Sequence, residues 1–356
     1  MRNTRKRYHI FAVNTGSTST KLALFRDTTL VSSATIRHTR HELNSFRAVW
    51  DQFDFRTKIA NAWLKETRET PSALVGVGGL LKPIPGGTYL IDDRMILDAR
   101  TNFQGEHVSN LACAIVFQMS RRYRCPAFVV DPVSVDEFEP LARYSGHPLI
   151  TRRSLSHALN IHAISRFEAT KLGREVWETN FVVAHLGGGI SVTPVCGGKI
   201  IDANDASSDG PFSPERSGGL PLQQFASICF SGKYSEHEIR SMIMGRGGLI
   251  AYLGTNSAHE VEERIKRGDK DAEEVYRAMA YQVAKEIGAM STVLKGRVDA
   301  VLLTGGLAGS KLFTSWIKER IDFIAPVEIY PGEDEMTSLV HGALRVLRGE
   351  EKALTY

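Results

Sequence analysis

The stretch FVVAHLGGGISVTPV, Phe181 to Val195, puts three glycines in a row between two segments that both read as strands. Phe181 to His185 is a short apolar run rich in aromatic and β-branched residues, and Ile190 to Val195 alternates apolar Ile190 and Val192 with polar Ser191 and Thr193. Gly187, Gly188 and Gly189 therefore occupy a hairpin. Three glycines together weaken a turn unless something needs bare backbone, at dihedral angles or approach distances that a Cβ forbids. A phosphate group is one such thing, and an ordinary glycine-rich hairpin is the competing explanation.

A second stretch has the same grammar. IFAVNTGSTSTKLALF, Ile10 to Phe25, runs from an apolar strand through a small polar loop, Asn14 to Thr20, into another strand signal at Leu22 to Phe25. Gly16 is followed by Ser17, Thr18, Ser19 and Thr20, then by Lys21. Hydroxyls, backbone N–H groups and one ammonium are what a polyphosphate and its Mg²⁺ require of a loop. Both loops turn back into strand, so neither is a Walker P-loop or a Rossmann GxGxxG, each of which must open a helix. Two phosphate-type hairpins, each opening a segment of similar size, point to two related domains gripping one nucleotide.

Composition bounds this reading. The 356 residues suffice for two domains of ordinary size, and 42% hydrophobic with 24% charged residues is the balance of a globular protein. The net charge of +4 owes part of its excess to the basic start MRNTRKR, which reads as a solvated tail and not as a nucleic-acid groove. The apolar run at Tyr8 to Val13 is too short for a signal-peptide core, and no stretch approaches the 18 or so apolar residues of a membrane span. Cys113, Cys125, Cys196 and Cys229 lack metal-site spacing, mostly lie in apolar runs, and read as buried free thiols of a reducing cytoplasm.

Strand and helix signals alternate along the rest of the chain. Helical periodicity runs over Phe46 to Glu69 and His107 to Tyr123, with strands at Ala73 onward and at Ala127 to Asp131; Ala73 to Ile91 ends in a Gly/Pro-rich loop. Further helices are expected at Ser156 to Leu172, Ala272 to Leu294, Ser310 to Ile321 and Asp334 to Leu347, with strands at Asp299 to Gly306 and Val327 to Tyr330. Such alternation argues an α/β architecture with sheets covered on both faces, and ligands of these sheets sit beyond the carboxyl ends of the strands. Asp131 is the first residue past one strand, and Gly305 and Gly306 hold the equivalent place in another, just before a helix starting near Ser310. The densest irregular segment, DGPFSPERSGGLP from Asp209 to Pro221, presents one guanidinium, Arg216, on a rigid loop. Phosphoryl transfer needs such a group, because positioning and electrostatics supply nearly all of its catalysis. His157 at a helix start and His185 beside the glycines are further cationic or donor candidates.

The strings NTGSTSTK, GGLLKPIPGGTY, VDPVSVDE, HLGGGISV, GPFSPERSGGLP, LLTGGLA and YPGEDEM together resemble the acetate/butyrate kinase family of the actin-like ATPase and sugar-kinase superfamily, over about Ile10 to Gly349. The resemblance implies an α/β fold of duplicated, doubly wound domains (ribonuclease H-like, actin-like ATPase) with an interdomain cleft. Residues 1–155 plus 335–356 would form an N-terminal acyl-kinase domain and residues 156–334 a C-terminal nucleotide-binding domain. It implies reversible transfer of the γ-phosphoryl of MgATP to the carboxylate of butyrate or a short branched fatty acid, giving an acyl phosphate and ADP. By position, Asn14, Gly16, Ser17, Ser19 and Lys21 become the first phosphate loop, His185, Gly187, Gly188 and Gly189 the second, and Gly305 with Gly306 the adenosine-side turn. Arg216 and His157 match the family's transition-state stabilisers, Asp131 its acid near the transferred phosphoryl, and Glu333 or Glu335 the acid associated with Mg²⁺. A carboxylate substrate is already ionised at neutral pH, so neutralising two anions is the harder task. A cytoplasmic homodimer is the family's expectation. The chain departs from the family pattern at Val77, where arginine is usual, at Ser156, where an aromatic is common, and at Asp209, where glutamate is usual. These departures leave open an alternative: a catalytically weakened nucleotide-binding homologue with a regulatory or assembly role.

Overall fold

The computed structural model describes residues 7–332 and 334–356. The chain divides into two compact units, one spanning Met1–Val135 and Asp334–Tyr356, the other Asp136–Glu333, so that residues 136–155 pack with the second. Among the described residues, no helix is long and apolar enough to cross a membrane.

The first unit is built on strands β1 (His9–Gly16), β2 (Ser19–Arg26), β3 (Thr29–Arg37), β4 (Ala73–Gly76), β5 (Thr88–Leu90), β6 (Ala127–Val130) and β12 (Leu354–Thr355). They form one sheet in the order β12-β5-β6-β4-β1-β2-β3. The antiparallel meander β1-β2-β3 occupies one side, and β4 and β6 add to β1 in parallel on the other. Ile10 to Val13 are completely buried, which is why this central strand reads as an unbroken apolar run with no alternation. Two helices cover the parallel strands. Gly76 in β4 pairs with Val129, and a Cβ on it would meet Ala112 and Val116 of the helix Asn110–Tyr123. Val130, one residue further and hence on the opposite face, is met by Gly342 of the helix Glu335–Leu347. The sheet is doubly wound.

The second unit repeats the scheme. Strands β7 (Asn180–Leu186), β8 (Ile190–Cys196), β9 (Lys199–Ile200), β10 (Ala300–Gly305) and β11 (Val327–Pro331) lie in the order β11-β10-β7-β8-β9. Again an antiparallel meander, β7-β8-β9, is extended by two parallel strands on the far side of its first member. The 24-residue helix Lys270–Val293, capped by the Asp269 carboxylate accepting from the Ala272 N–H, supplies Tyr276, Met279, Val283 and Ile287 to the core beneath β7 and β8. A duplicated α/β fold is thus visible in strand order alone, and it is the class the sequence implied.

Candidate active site

In the first unit the carboxyl ends of β1, β4 and β6 emerge along one edge, because Val13 pairs with Gly76 and Gly76 with Val129. That edge carries Asn14, Val77 and Asp131, where a parallel sheet presents its ligand site. The β1–β2 hairpin pairs Asn14 with Lys21, Thr15 with Thr20 and Gly16 with Ser19, leaving Ser17 and Thr18 as the turn. Directly opposed residues share a face, so Asn14 and Lys21 project together. Both meet Glu335: the Asn14 amide donates to its carboxylate at 2.5 Å and the Lys21 ammonium lies 3.8 Å from the same oxygen. Glu335 begins the helix Glu335–Leu347, which is capped by the Asp334 side chain accepting from the Thr337 N–H. Five expected residues, Asn14, Gly16, Ser17, Ser19 and Lys21, are therefore brought into one hairpin beside an expected acid. Glu333 lies outside the described residues.

Asp131 follows β6 with φ of 39°, an uncommon backbone for a residue bearing a side chain. Its carboxylate is buried and accepts from the Gly87 N–H at 2.7 Å, while its own N–H donates to the Gly87 carbonyl at 3.0 Å. It clamps the PIPGG loop. Val77 donates its N–H to the Val13 carbonyl and packs its half-buried side chain against the core, so this chain uses position 77 for packing.

In the second unit, β7, β10 and β11 end along one edge at Leu186, Gly305 and Pro331, with Thr304 pairing with His185 and Gly305 with Pro331. Leu186 and Ile190 close the β7–β8 hairpin, and the three glycines form its turn, with the Gly187 N–H donating to the Gly189 carbonyl at 3.1 Å. Here the structure gives one of the three glycines, Gly189, a close neighbour. The segment Asp209 to Pro221 folds over the turn: the Ser213 hydroxyl donates to the Gly188 carbonyl at 2.5 Å, and the guanidinium of Arg216 lies close against Gly189. A Cβ on Gly189 would fall 2.2 Å from Nη1 and 2.5 Å from Cζ. Nη1 donates to the Ala206 carbonyl at 2.7 Å, and burial pulls the pKa of Arg216 down while Glu215 and Asp205 hold it up. An arginine so lowered is still a full cation at neutral pH.

His157 and His185 stack with ring centroids 3.8 Å apart and planes 10° from parallel. Nδ1 of His157 is 2.9 Å from the Ser191 hydroxyl, and Nδ1 of His185 is 2.9 Å from the Asn160 amide oxygen. Burial, then the proximity of His185 and Arg216, push the His157 pKa well below its ordinary value. Of the two roles open to it, cation or donor, the structure supports the neutral hydrogen-bonding one. At the turn after β10, Gly305 has φ of 89°, and a Cβ there would lie 2.5 Å from the Leu186 carbonyl oxygen. Only glycine fits where β10 passes the end of β7. Gly306 opens a short 3₁₀ turn leading to Ser310, which caps the helix Lys311–Ile321 and donates to the Glu262 carboxylate at 2.5 Å.

Several positioning groups lack a local sequence signal. Asn204 bonds β8 on both sides, accepting from Val192 N–H and donating to the Ile190 carbonyl, and Ser213, Asn160 and Arg56 likewise act on partners distant in sequence. Arg56 sits beneath the first hairpin, fully buried.

The sequence profile of the acetokinase family matches residues 141–320. A probable butyrate kinase of Listeria innocua is 49% identical over 354 residues, covering 98% of this chain and 99% of that protein. Butyrate kinase 2 of Clostridium acetobutylicum is 46% identical over 354 residues, with the same coverage. Among solved structures, an acetate kinase of Porphyromonas gingivalis superposes with a TM-score of 0.78 at 14% identity, over 96% of this chain and 100% of that one. A propionate kinase of Francisella tularensis superposes at 0.72 and 18% identity, over 94% and 98%. The two structures carry the fold, which is that of the actin-like ATPases.

Proposed function

The chain belongs to the acetokinase family, and on that premise we propose that it phosphorylates the carboxylate of butyrate or a short branched-chain fatty acid with ATP, reversibly, giving an acyl phosphate and ADP. A carboxylate oxygen forms a bond to the γ-phosphorus as the bond to the β,γ-bridging oxygen breaks, and that electron pair leaves with ADP. No proton is transferred, so the site needs cations and amides and not a strong base. The observation that supports this best is the seat of Arg216: a desolvated guanidinium, fixed by the Ala206 carbonyl and by the bare face of Gly189, at the mouth of a glycine turn. Arg216 is assigned to stabilising charge on the transferring group, neutral His157 to donating a hydrogen bond, and buried Asp131 to holding the PIPGG loop of the first unit.

The β1–β2 hairpin with Asn14, Gly16, Ser17, Ser19 and Lys21, and the β7–β8 hairpin with His185 and its three glycines, are assigned to the phosphates of ATP. Gly305 and Gly306 are assigned to its adenosine side. Glu335 offers a single carboxylate at a helix start, its Oε2 accepting from the Asn14 amide and facing the Lys21 ammonium, and no group of three or more metal-ligating side chains gathers among the described residues, so Mg²⁺ held there would take most of its oxygen ligands from phosphates and water. Mg²⁺ bound there would neutralise charge on the β- and γ-phosphoryl oxygens.

The decisive measurement is ATP-dependent hydroxamate formation from butyrate or isobutyrate with hydroxylamine. Robust product is expected. ADP or ATP uptake by calorimetry without any hydroxamate would establish the alternative of a binding-only homologue, and neither signal would overturn both.

For quaternary state we propose a homodimer. The helix Leu222–Cys229 has no buried residue, and Leu222 and Phe230 are 81% and 91% exposed, an apolar face of the kind that subunit contacts cover. Sedimentation should show twice the 39.4 kDa chain mass at micromolar concentration; a monomer at all concentrations would sink this. Of the four thiols expected to be buried, only Cys113 is; Cys125 and Cys229 are half-buried and Cys196 is exposed, yet all four are free, which supports a cytoplasmic location.

A further inference from the structure

Arg56 lies on the helix Phe53–Glu66 and is completely buried beneath the β1–β2 turn. Its Nη1 donates to the Ser19 carbonyl at 2.8 Å and to the Thr20 hydroxyl at 3.0 Å, its Nη2 to the Ser17 carbonyl at 3.5 Å, and its Nε to the Gln52 amide oxygen at 3.0 Å. All four acceptors are neutral. A buried guanidinium is usually matched by a carboxylate, since stripping water from a charge is otherwise costly. Here dipoles alone take that part, and burial draws the pKa of Arg56 down to about 10, leaving it a cation at neutral pH.

The effect on the turn follows from peptide geometry. In a trans peptide the carbonyl and the following N–H point in opposite directions. Arg56 holds the Ser17 carbonyl, so the Thr18 N–H is turned away from the guanidinium; the Thr18 carbonyl is in turn held by the His38 N–H at 2.8 Å. His38 is itself buried, with Nε2 2.8 Å from the Thr20 hydroxyl, and burial followed by the charge of Arg56 lowers its pKa, which keeps a second cation out of the pocket. Three consecutive carbonyls, Ser17, Thr18 and Ser19, are thereby drawn back into the protein.

We propose that Arg56 is a positioning residue for ATP: it pulls the carbonyls of the β1–β2 turn inward so that the turn presents donors to an anion, and it backs the turn with an unneutralised positive charge. This rests on the assignment of that hairpin to the phosphates of ATP. Arg56 touches neither substrate nor reacting atoms. It acts through Ser17, Ser19 and Thr20, so its loss should weaken nucleotide affinity selectively.

The test uses the full chain with Arg56→Gln and Arg56→Lys, MgATP and MgADP calorimetry, hydroxamate kinetics in both substrates, and thermal unfolding without ligand. Removing a buried charge-assisted anchor should raise the MgATP Kd of Arg56→Gln about 10- to 100-fold while the carboxylate KM stays within about twofold. Lysine keeps the charge but lacks the planar fork that reaches the Ser17 and Ser19 carbonyls, the Thr20 hydroxyl and Gln52 together, so Arg56→Lys should lie between wild type and Arg56→Gln. A lowered melting temperature with MgATP Kd unchanged would overturn the proposal, as would equal losses for both substrates. If Arg56→Gln does not accumulate as folded protein, Arg56→Lys decides by the same split. A wild-type protein that binds MgATP but makes no hydroxamate would overturn the kinase reading instead, and the Kd comparison would still score Arg56.

Discussion

Arg216→Ala is expected to lower kcat for acyl phosphate formation by about 10²- to 10³-fold, some 3 to 4 kcal/mol of transition-state stabilisation, with KM for ATP changed by only a few-fold. The reasoning is differential binding. In the transition state charge is redistributed over the equatorial oxygens of the transferring group and the leaving oxygen, and a largely buried guanidinium that is already aimed contributes there without reorganising. The chain has fixed that aim through the Ala206 carbonyl and the bare Gly189, so the group is pre-organised before substrate arrives. Arg216→Lys should recover little, because an ammonium lacks the planar, five-donor fork that Arg216 brings to the glycine turn. Stability should hardly fall in Arg216→Ala, since removing the guanidinium relieves the cost of burying its charge. Parallel loss of ATP affinity and kcat would assign Arg216 to ground-state binding, and full retention of kcat would remove it from the chemistry.

The sequence made the central strands readable because they are buried on both faces. Ile10 to Val13, Phe181 to Ala184 and Val301 to Leu303 are all fully enclosed, and each is an unbroken apolar run. The edge strand Thr29–Arg37 left no such mark: its burial pattern never exceeds intermediate, and its serines and threonines read as loop. The helices between Leu222 and Lys266 escaped for a related reason, since two of them bury nothing in the chain and so show no core-facing stripe. The helix Asp93–Arg100 could have been found, because Asp92 is a proper cap, its carboxylate accepting from the Met95 N–H.

At the candidate site, anomalies were legible and partners were not. Three adjacent glycines announce that something approaches the backbone, but nothing local names Arg216, twenty-seven positions later, as the group that does. The same limit hid Arg56. On a helix whose other residues carry the apolar stripe, an arginine reads as solvent-facing, and its burial is decided by carbonyls of a turn 37 and 39 residues earlier in the chain. Val77 shows the reverse case, where family resemblance suggested a missing contact and packing against the core accounts for the residue present.

Gly189→Ala tests the coupling between the glycine turn and the arginine directly. The backbone at Gly189 does not occupy the left-handed region that favours glycine, so alanine is tolerated locally. What it meets is the far end of a long side chain, at 2.2 Å from Nη1, and the cheapest relief is for the guanidinium to swing off the turn and give up the Ala206 carbonyl. Folding should therefore cost no more than about 1 to 2 kcal/mol, a few degrees of Tm in a unit of this size. Catalysis should suffer far more: displacing a charge-stabilising group by an ångström or so lowers kcat by about 10- to 100-fold. The informative experiment is the double-mutant cycle. If Gly189 is glycine only to seat Arg216, then adding Gly189→Ala to Arg216→Ala should cost no more than about twofold further, because the group to be displaced is already gone. Additive losses would show instead that the turn itself needs bare backbone for a phosphate, and the contact with Arg216 would then be incidental to the chemistry.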